Sequence, residues 1–291
     1  MKIKFSKMHG LGNSYIYIDC VRENNFFLDE EKIYMLAKKL SDKNFGIGAD
    51  GLILILKSDK ADFKMRIINS DGTEAEMCGN GIRCVGKFIY EKKLVDENKK
   101  NLEIETLAGI KKLELEVKNN LVRNVKVDMG KACFDVKEIG MSGNKNKVDL
   151  IVDNKKFICE CVSIGNPHAV IFLDDLDFKN LDAKKYGYEI ENNICFRNRI
   201  NVEFAEIKNK NCIDVKVWER GSGITLACGT GACAVFAVAL KNNLIDKNKY
   251  IKIKLPGGEL NIFCDKKENI FMSGEAKNVC DGSFDLDHFM E

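Results

Sequence analysis

Two stretches of the chain enter an apolar segment in the same way. Cys78-Gly79-Asn80-Gly81 lies within Ala75 to Cys84, and Cys228-Gly229-Thr230-Gly231 lies within Leu226 to Cys233, 150 positions further on. Each places a thiol where a glycine-loosened turn leads into a helix. A period of 150 is far too long for a solenoid, so the repeat implies gene duplication: two similar domains, each with many short strands around one helix.

Three further offsets agree with this period to within a few residues. Gly12-Asn13-Ser14-Tyr15-Ile16 resembles Gly165-Asn166-Pro167-His168-Ala169, 153 positions on, and the strand after Asp50 resembles the one after Asn201, 151 positions on. Leu107-Ala108-Gly109 before a strand resembles Leu255-Pro256-Gly257-Gly258 before Glu259 to Phe263. The expected fold class is therefore α/β (α+β), with two pseudo-symmetric domains, each a mixed β-barrel-like sheet wrapped around a central helix. Equivalent sites in the two halves are expected to face each other across a pseudo-twofold cleft.

Local patterns fill in the halves. Lys2 to Met8 and Ser14 to Asp19 alternate as the strands of a hairpin around His9 to Asn13. Asp29 to Ser41 carries Ile33, Leu36, Ala37 and Leu40 at helical spacing, with Asp29 as N-cap. Gly46-Ile47-Gly48-Ala49-Asp50-Gly51 matches the dinucleotide fingerprint letter for letter, but it precedes the strand Leu52 to Leu56 instead of a helix, so no nucleotide cofactor is read from it. Phe63 to Ile68 is a strand and Ser70 to Thr73 a turn. From Cys78 to Leu94, Ile82, Val85, Phe88 and Ile89 form an apolar stripe with Arg83, Lys87, Glu91, Lys92 and Lys93 between, an amphipathic helix with a basic end. Strands follow at Leu102 to Thr106, Ile110 to Val117 and Leu121 to Met129, with a turn at Asn119-Asn120. The second helix, Ala227 to Leu240, is apolar nearly all round and is expected to be buried on every side.

Composition excludes several classes. With 46 Lys and Arg against 44 Asp and Glu the net charge is +2 and forms no basic stripe, which argues against nucleic acid. The lysine-rich pieces at 98–101, 144–147 and 208–211 are solvated loop tips. Met1 leads directly into a strand pattern with no signal-like core, so a cytoplasmic location is expected. The longest apolar run, Ala232 to Leu240, is far short of the roughly 20 residues that cross a bilayer, so no membrane partner is expected. The 12 cysteines are scattered and contain no C-x-x-C pair, which favours reduced thiols and no metal site.

Chemistry concentrates at the repeated thiols. A helix N-terminus favours the thiolate and draws a cysteine down into roughly the 3.5–7.5 range. The amides of Gly79, Asn80, Gly81 and of Gly229, Thr230, Gly231 suit a small anion such as a carboxylate, with Asn80 and Thr230 adding side-chain donors. A carbon bearing that carboxylate, with one sulfur on each side, loses its proton to one thiolate and regains one from the other thiol, which inverts its configuration. Acyl transfer would need a cysteine paired with a histidine, and no such ordering is required here. Asn13, Asn69, Asn166 and Asn201 fall at strand or turn junctions, where asparagine also serves as an ordinary turn former. Arg220 suits a bidentate carboxylate contact and Glu219 an ammonium, compatible with a second amino-acid-binding end.

These motifs together resemble the diaminopimelate epimerase family: Lys7 to Asn13, Asn69-Ser70-Asp71-Gly72, Cys78 to Cys84, Gly165-Asn166-Pro167-His168, Arg199-Ile200-Asn201-Val202, Trp218-Glu219-Arg220-Gly221 and Ala227 to Gly231. The resemblance runs nearly end to end. It implies an isomerase without cofactor that interconverts LL- and meso-2,6-diaminopimelate in lysine and peptidoglycan precursor biosynthesis. It makes Cys78 and Cys228 the acid/base pair, with Gly79, Asn80, Gly229 and Thr230 on the reacting carboxylate. Asn13, Asn69, Asn166, Asn201, Glu219 and Arg220 become substrate contacts, and His168 with Glu219 tunes the cysteines. It also implies a homodimer and a last strand, about Ala276 to Leu286, that returns to the first half, giving domains at 1–128 with 277–291 and at 129–276. Two departures stand out: Ala49-Asp50-Gly51 lacks a glutamine that some members use as a substrate contact, and Gly12-Asn13-Ser14-Tyr15 replaces Gly-Asn-Asp-Phe. The rival readings are a proline- or histidine-type racemase on the same scaffold and a non-catalytic amino-acid-binding protein.

Overall fold

Asn119 and Asn120 both take left-handed backbone, with φ of 53° and 58°, which a two-residue hairpin turn requires. Leu11 and Gly12 do the same at 56° and 87°. Such turns convert the alternating runs into hairpins throughout the computed structural model, which describes residues 1–22 and 29–290. By internal contacts the chain divides into two units, Met1–Val127 with Gly274–Glu291, and Asp128–Ser273.

The first unit runs β1 (Lys2–Gly10), β2 (Asn13–Asp19), α1 (Glu30–Ser41), β3 (Gly51–Leu56), β4 (Phe63–Asn69), β5 (Glu74–Ala75), α2 (Gly79–Glu91), β6 (Asn101–Thr106), β7 (Gly109–Lys118) and β8 (Leu121–Gly130). The second runs α3 (Val136–Ile139), β9 (Lys147–Val152), β10 (Lys155–Ser163), β11 (Pro167–Phe172), α4 (Asp175–Lys179), α5 (Ala183–Glu191), β12 (Asn201–Asn209), β13 (Cys212–Glu219), β14 (Gly223–Thr225), α6 (Gly229–Lys241), β15 (Ile251–Leu255), β16 (Gly258–Cys264) and β17 (Ile270–Gly274). Finally β18 (Lys277–Asp285) and α7 (Leu286–Met290) complete the first unit.

The pairing repeats strand for strand. In the first unit β1–β2 is antiparallel, β2–β3 parallel, β3–β4 antiparallel, β4 antiparallel to β5 and parallel to β6, and β6–β7–β8 antiparallel. In the second, β10 to β17 show the same sequence of pairings. β9 lies antiparallel to β10, and β18 takes the corresponding place beside β1. The duplicated mixed α/β fold thus stands, and the returning last strand is what completes the first copy. Register refines one offset: Ile16 pairs with Leu52 and Ala169 with Val202, so β3 and β12 correspond with a shift of 150, the cysteine period, and Gly51 instead of Asp50 matches Asn201.

In each copy of the repeat the strands pack against one helix. α2 packs against β1, β2 and β7, and α6 against β10, β11, β12, β15 and β16. α6 is buried along its length, as its apolar composition requires. α2 is buried too, contrary to its amphipathic pattern. Its charges find partners inside: Arg83, fully buried, donates to the Gly79 carbonyl (3.0 Å) and to Asn80 Oδ1 (2.9 Å), and Lys87 donates to Glu91 (2.6 Å) and the Val122 carbonyl (2.9 Å).

Outer faces are covered by α1 in the first unit, through Ile33, Leu36, Ala37 and Leu40, and by α5 in the second. Asp29 caps α1 by accepting from the Lys32 amide. The glycine-rich stretch at 46–51 closes the end of this helix, since the amides of Ile47 and Gly48 both donate to the Leu40 carbonyl. A Cβ on Gly46 would stand 2.2 Å from the Lys39 carbonyl oxygen, which explains the glycine without any ligand. On β10, Cys159 and Cys161 share one buried face. Among the described residues no group of three or more His, Cys, Asp or Glu is arranged to hold a metal, no helix is long and apolar enough to cross a membrane, and no disulfide joins the cysteines.

Candidate active site

Both repeated cysteines are the N-caps of the central helices. Cys78 has extended backbone (φ −135°, ψ 113°), and its Sγ accepts from the Gly81 amide at 3.3 Å. Cys228 is nearly superposable in kind, with φ −119°, ψ 116° and Sγ accepting from the Gly231 amide, also at 3.3 Å. The sulfur takes the place that a serine or aspartate oxygen holds in an ordinary cap. A helix offers its first amides no internal partner, so Gly79, Asn80, Gly229 and Thr230 sit where backbone donors can meet an anion.

Around Cys78, the sulfur donates to Asn13 Oδ1 at 3.3 Å. Asn13 in turn donates to Asp50 Oδ2 (2.9 Å), which also accepts from the Ser14 amide (2.8 Å). Asp50 therefore orients Asn13, a role its sequence position did not suggest. Asn69 donates to Thr73 Oγ1 (3.0 Å) in the turn between β4 and β5. Asn80 is buried with its Oδ1 accepting from Arg83, so its side chain serves the turn as well as the helix start. Burial pushes the Tyr15 phenol well above its ordinary value, and Cys78 beside it adds to the shift.

Around Cys228, Thr230 Oγ1 lies 3.4 Å from the sulfur. Glu219 accepts from Thr225 Oγ1 at 2.5 Å. Asn201 donates to the Pro167 carbonyl and accepts from the Arg220 amide, both at 2.9 Å, while Arg220 Nη1 donates to the Asn198 carbonyl. Asn166 Oδ1 lies 2.9 Å from His168 Nε2, and His168 Nδ1 lies 2.7 Å from Glu203 Oε1. Asn201 and Arg220 thus form one small network and His168 with Asn166 and Glu203 another, while Glu219 is tied to Thr225 and Thr230 lies beside Cys228.

The acidity of Cys228 departs from the expectation for a helix start. Burial pushes the thiol well above its ordinary value, the nearby Glu219 and Glu203 carboxylates push it further, and the Thr230 hydroxyl and Gly231 amide oppose them without prevailing. Burial likewise raises Glu219, against the pull of Thr225. Desolvation and two like charges outweigh the helix terminus, which favours the thiol form of Cys228.

Glu203 is the residue the sequence concealed. It is fully buried, with Oε2 unpartnered. A Cβ on Gly231 would stand 2.6 Å from its Oε1, and the equivalent Cβ on Gly81 would stand 2.8 Å from Ile53 Cδ1. Ile53 and Glu203 are separated by the same 150 positions, and Tyr15 and His168 by 153. Under one thiol the duplicated fold keeps an isoleucine and a tyrosine; under the other it carries a glutamate and a histidine. The only signal available was a carboxylate in the middle of Asn201 to Ile207, a strand whose first six residues are buried on both faces.

The diaminopimelate epimerase family model matches residues 5–134 and 160–279, a segment for each copy of the repeat and each with its cysteine. The chain belongs to the diaminopimelate epimerase family. It is 45% identical over 288 residues to the diaminopimelate epimerase of Acetivibrio thermocellus, with 98% of this chain and 99% of that protein covered. The same enzyme of Methanococcus maripaludis is also 45% identical, with 98% and 100% covered. Among solved structures, a probable proline racemase from Agrobacterium radiobacter aligns with a TM-score of 0.72 at 15% identity, covering 99% of this chain and 94% of its own. A hydroxyproline epimerase from Agrobacterium vitis aligns with 0.69 at 12%, covering 97% and 91%. Those two share the fold. Membership of the diaminopimelate epimerase family makes this chain an isomerase.

Proposed function

We propose that the protein interconverts LL- and meso-2,6-diaminopimelate by a two-base mechanism in which Cys78 and Cys228 alternate as thiolate and thiol. The observation that carries this reading is the matched pair of caps, each a cysteine whose sulfur accepts the third amide of a buried helix. One thiolate removes the α proton and becomes a thiol; the electron pair stays on the α carbon, stabilised through its carboxylate. The other thiol gives its proton to the opposite face and becomes the thiolate. The product has inverted configuration, and the two sulfurs have exchanged protonation states. Because the sites are coupled, their apparent pKa values belong to the pair.

Gly79, Asn80, Gly229 and Thr230 hold the reacting carboxylate. Asn13, Asn69, Asn166, Asn201, Glu219 and Arg220 hold the remaining polar groups, largely the distant amino-acid end, where Arg220 suits a carboxylate and Glu219 an ammonium. His168 and Glu219 tune the thiols. The elevated Cys228 fits the member of the pair that begins a turnover as the thiol, and a substrate ammonium placed near Glu219 would offset the carboxylates that raise it. No cofactor takes part in this scheme. A reducing compartment such as the cytoplasm suits a mechanism that needs both sulfurs reduced, and the family resemblance supports a homodimer.

Exchange of the α proton with solvent deuterium, using diaminopimelate and no added cofactor, tests the reading. Cys78→Ala and Cys228→Ala should each lower it by at least about 10²-fold, the scale of a lost acid or base. Exchange near the wild-type rate in either variant overturns the mechanism. Turnover of proline or histidine in preference to diaminopimelate overturns the substrate.

A further inference from the structure

Glu191 is the last residue of α5, and the chemistry above makes no use of it. It is only 3% exposed, yet it is one of the most heavily engaged carboxylates in the second unit. Its Oε2 accepts from the Trp218 indole at 2.6 Å. Its Oε1 accepts from the Gly221 amide and from Arg199 Nη1, each at 3.0 Å. The three donors come from the end of β13, from the turn that follows it, and from the loop before β12. Those are the segments that carry Glu219, Arg220 and Asn201.

The surroundings show a platform built for this turn. A Cβ on Gly187, one helical turn before Glu191, would stand 2.5 Å from the Trp218 side chain, so α5 admits the indole only by lacking a side chain there. Gly221 and Gly223 have φ of 78° and 82°, conformations that L side chains disfavour and that glycine adopts freely. The Arg220 amide is fixed by Asn201 and the next amide by Glu191, so the turn is held at two adjacent points. In the first unit the corresponding turn after β4 is tied within itself, by Asn69 and Asp71 on Thr73, and to the segment before β3, by the Ser70 amide on the Asp50 carbonyl. The α5 tether belongs to the second unit.

We propose that Glu191 is a positioning residue: by holding the Trp218 indole, the Gly221 amide and the Arg199 guanidinium together, it fixes the turn that presents Glu219 and Arg220 and thereby sets the affinity for the amino-acid substrate. The inference rests on the assignment of Glu219 and Arg220 to substrate binding. It also makes Trp218, the single tryptophan of the chain, an internal optical reporter of that turn.

Glu191→Gln is the test. A neutral amide keeps the shape but turns an NH₂ toward a donor, so at least one charge-assisted bond is lost. The KM for diaminopimelate should rise about tenfold with kcat within about twofold, and the Trp218 emission maximum should shift in the protein without substrate. Arg199→Asn removes only the partly exposed arm and suits the left-handed backbone at this position, φ 57°, so it should raise KM about threefold; it decides the matter if the glutamine variant does not fold. An unchanged KM in whichever of these variants folds overturns the proposal, as does a fall in kcat at constant KM, which would make Glu191 part of the chemistry. If wild-type protein neither binds nor exchanges diaminopimelate, the assigned activity fails; the tether is then judged by emission alone, and an unshifted maximum in Glu191→Gln overturns it.

Discussion

Gly231 shows how closely one residue can be bound to the chemistry around it. Its amide holds the Cys228 sulfur, and the space where its Cβ would be is occupied by Glu203 Oε1 at 2.6 Å. Glu203 cannot retreat without leaving His168, 2.7 Å away in a fully buried pocket. Gly81 is similarly placed, but it would meet the tip of Ile53, which can rotate. Gly231→Ala is therefore expected to cost about 1–3 kcal/mol of stability and to lower α-proton exchange, whereas Gly81→Ala should cost less. Urea unfolding of the two variants side by side checks this, and equal losses would show that Glu203 is no more confined than Ile53. The glycines were legible as turn formers. The carboxylate behind one of them was not, because nothing in Asn201 to Ile207 indicates that its partner is a histidine 35 positions earlier.

At the scale of the element, the two central helices were legible from their glycine-rich starts, but their environments were not equally so. α6 declares its burial by composition. α2 carries Arg83 and Lys87 at positions that read as a solvated face, and the Val122 carbonyl that takes up Lys87 comes from a strand 35 positions further on. Helical periodicity cannot register a partner supplied by another strand. The cap itself gives a way to separate structure from chemistry. Cys78→Ser keeps an acceptor for the Gly81 amide, and Cys78→Ala removes it, at a cost near 1 kcal/mol. Both should abolish proton exchange, while only the alanine variant should lose stability in urea unfolding. Equal stabilities would mean that the sulfur contributes nothing as a cap.

For the molecule as a whole, the duplication was the most legible feature, because two matched cysteine turns and three strand offsets all carry nearly one period, and the pairing of β1 to β8 is repeated by β10 to β17. The placement of β18 beside β1 came from family resemblance; its own residues are nearly all exposed and carry no burial pattern that would direct it. The same burial that hides the core also loads it with thiols. Burial pushes Cys84 up to about 11 and Cys159 up to about 12 from an ordinary 9.0, and it raises Cys161 and Cys228 as well. Below pH 9 these thiols are protonated in both the folded and the unfolded chain and make stability no steeper. Between pH 9 and 11 the unfolded chain gives up these protons while the folded chain retains them, so stability falls as pH rises, by about 1.4 kcal/mol per pH unit for each fully retained proton. Four such thiols would remove a large part of a typical net stability of about 5–15 kcal/mol. Urea midpoints measured under reducing conditions should stay level from pH 7.5 to 8.5 and drop steeply by pH 10.5, and Cys159→Ala should flatten the drop by one thiol. Midpoints that remain level to pH 10.5 would mean that the folded interior lets these sulfurs ionise as readily as water does.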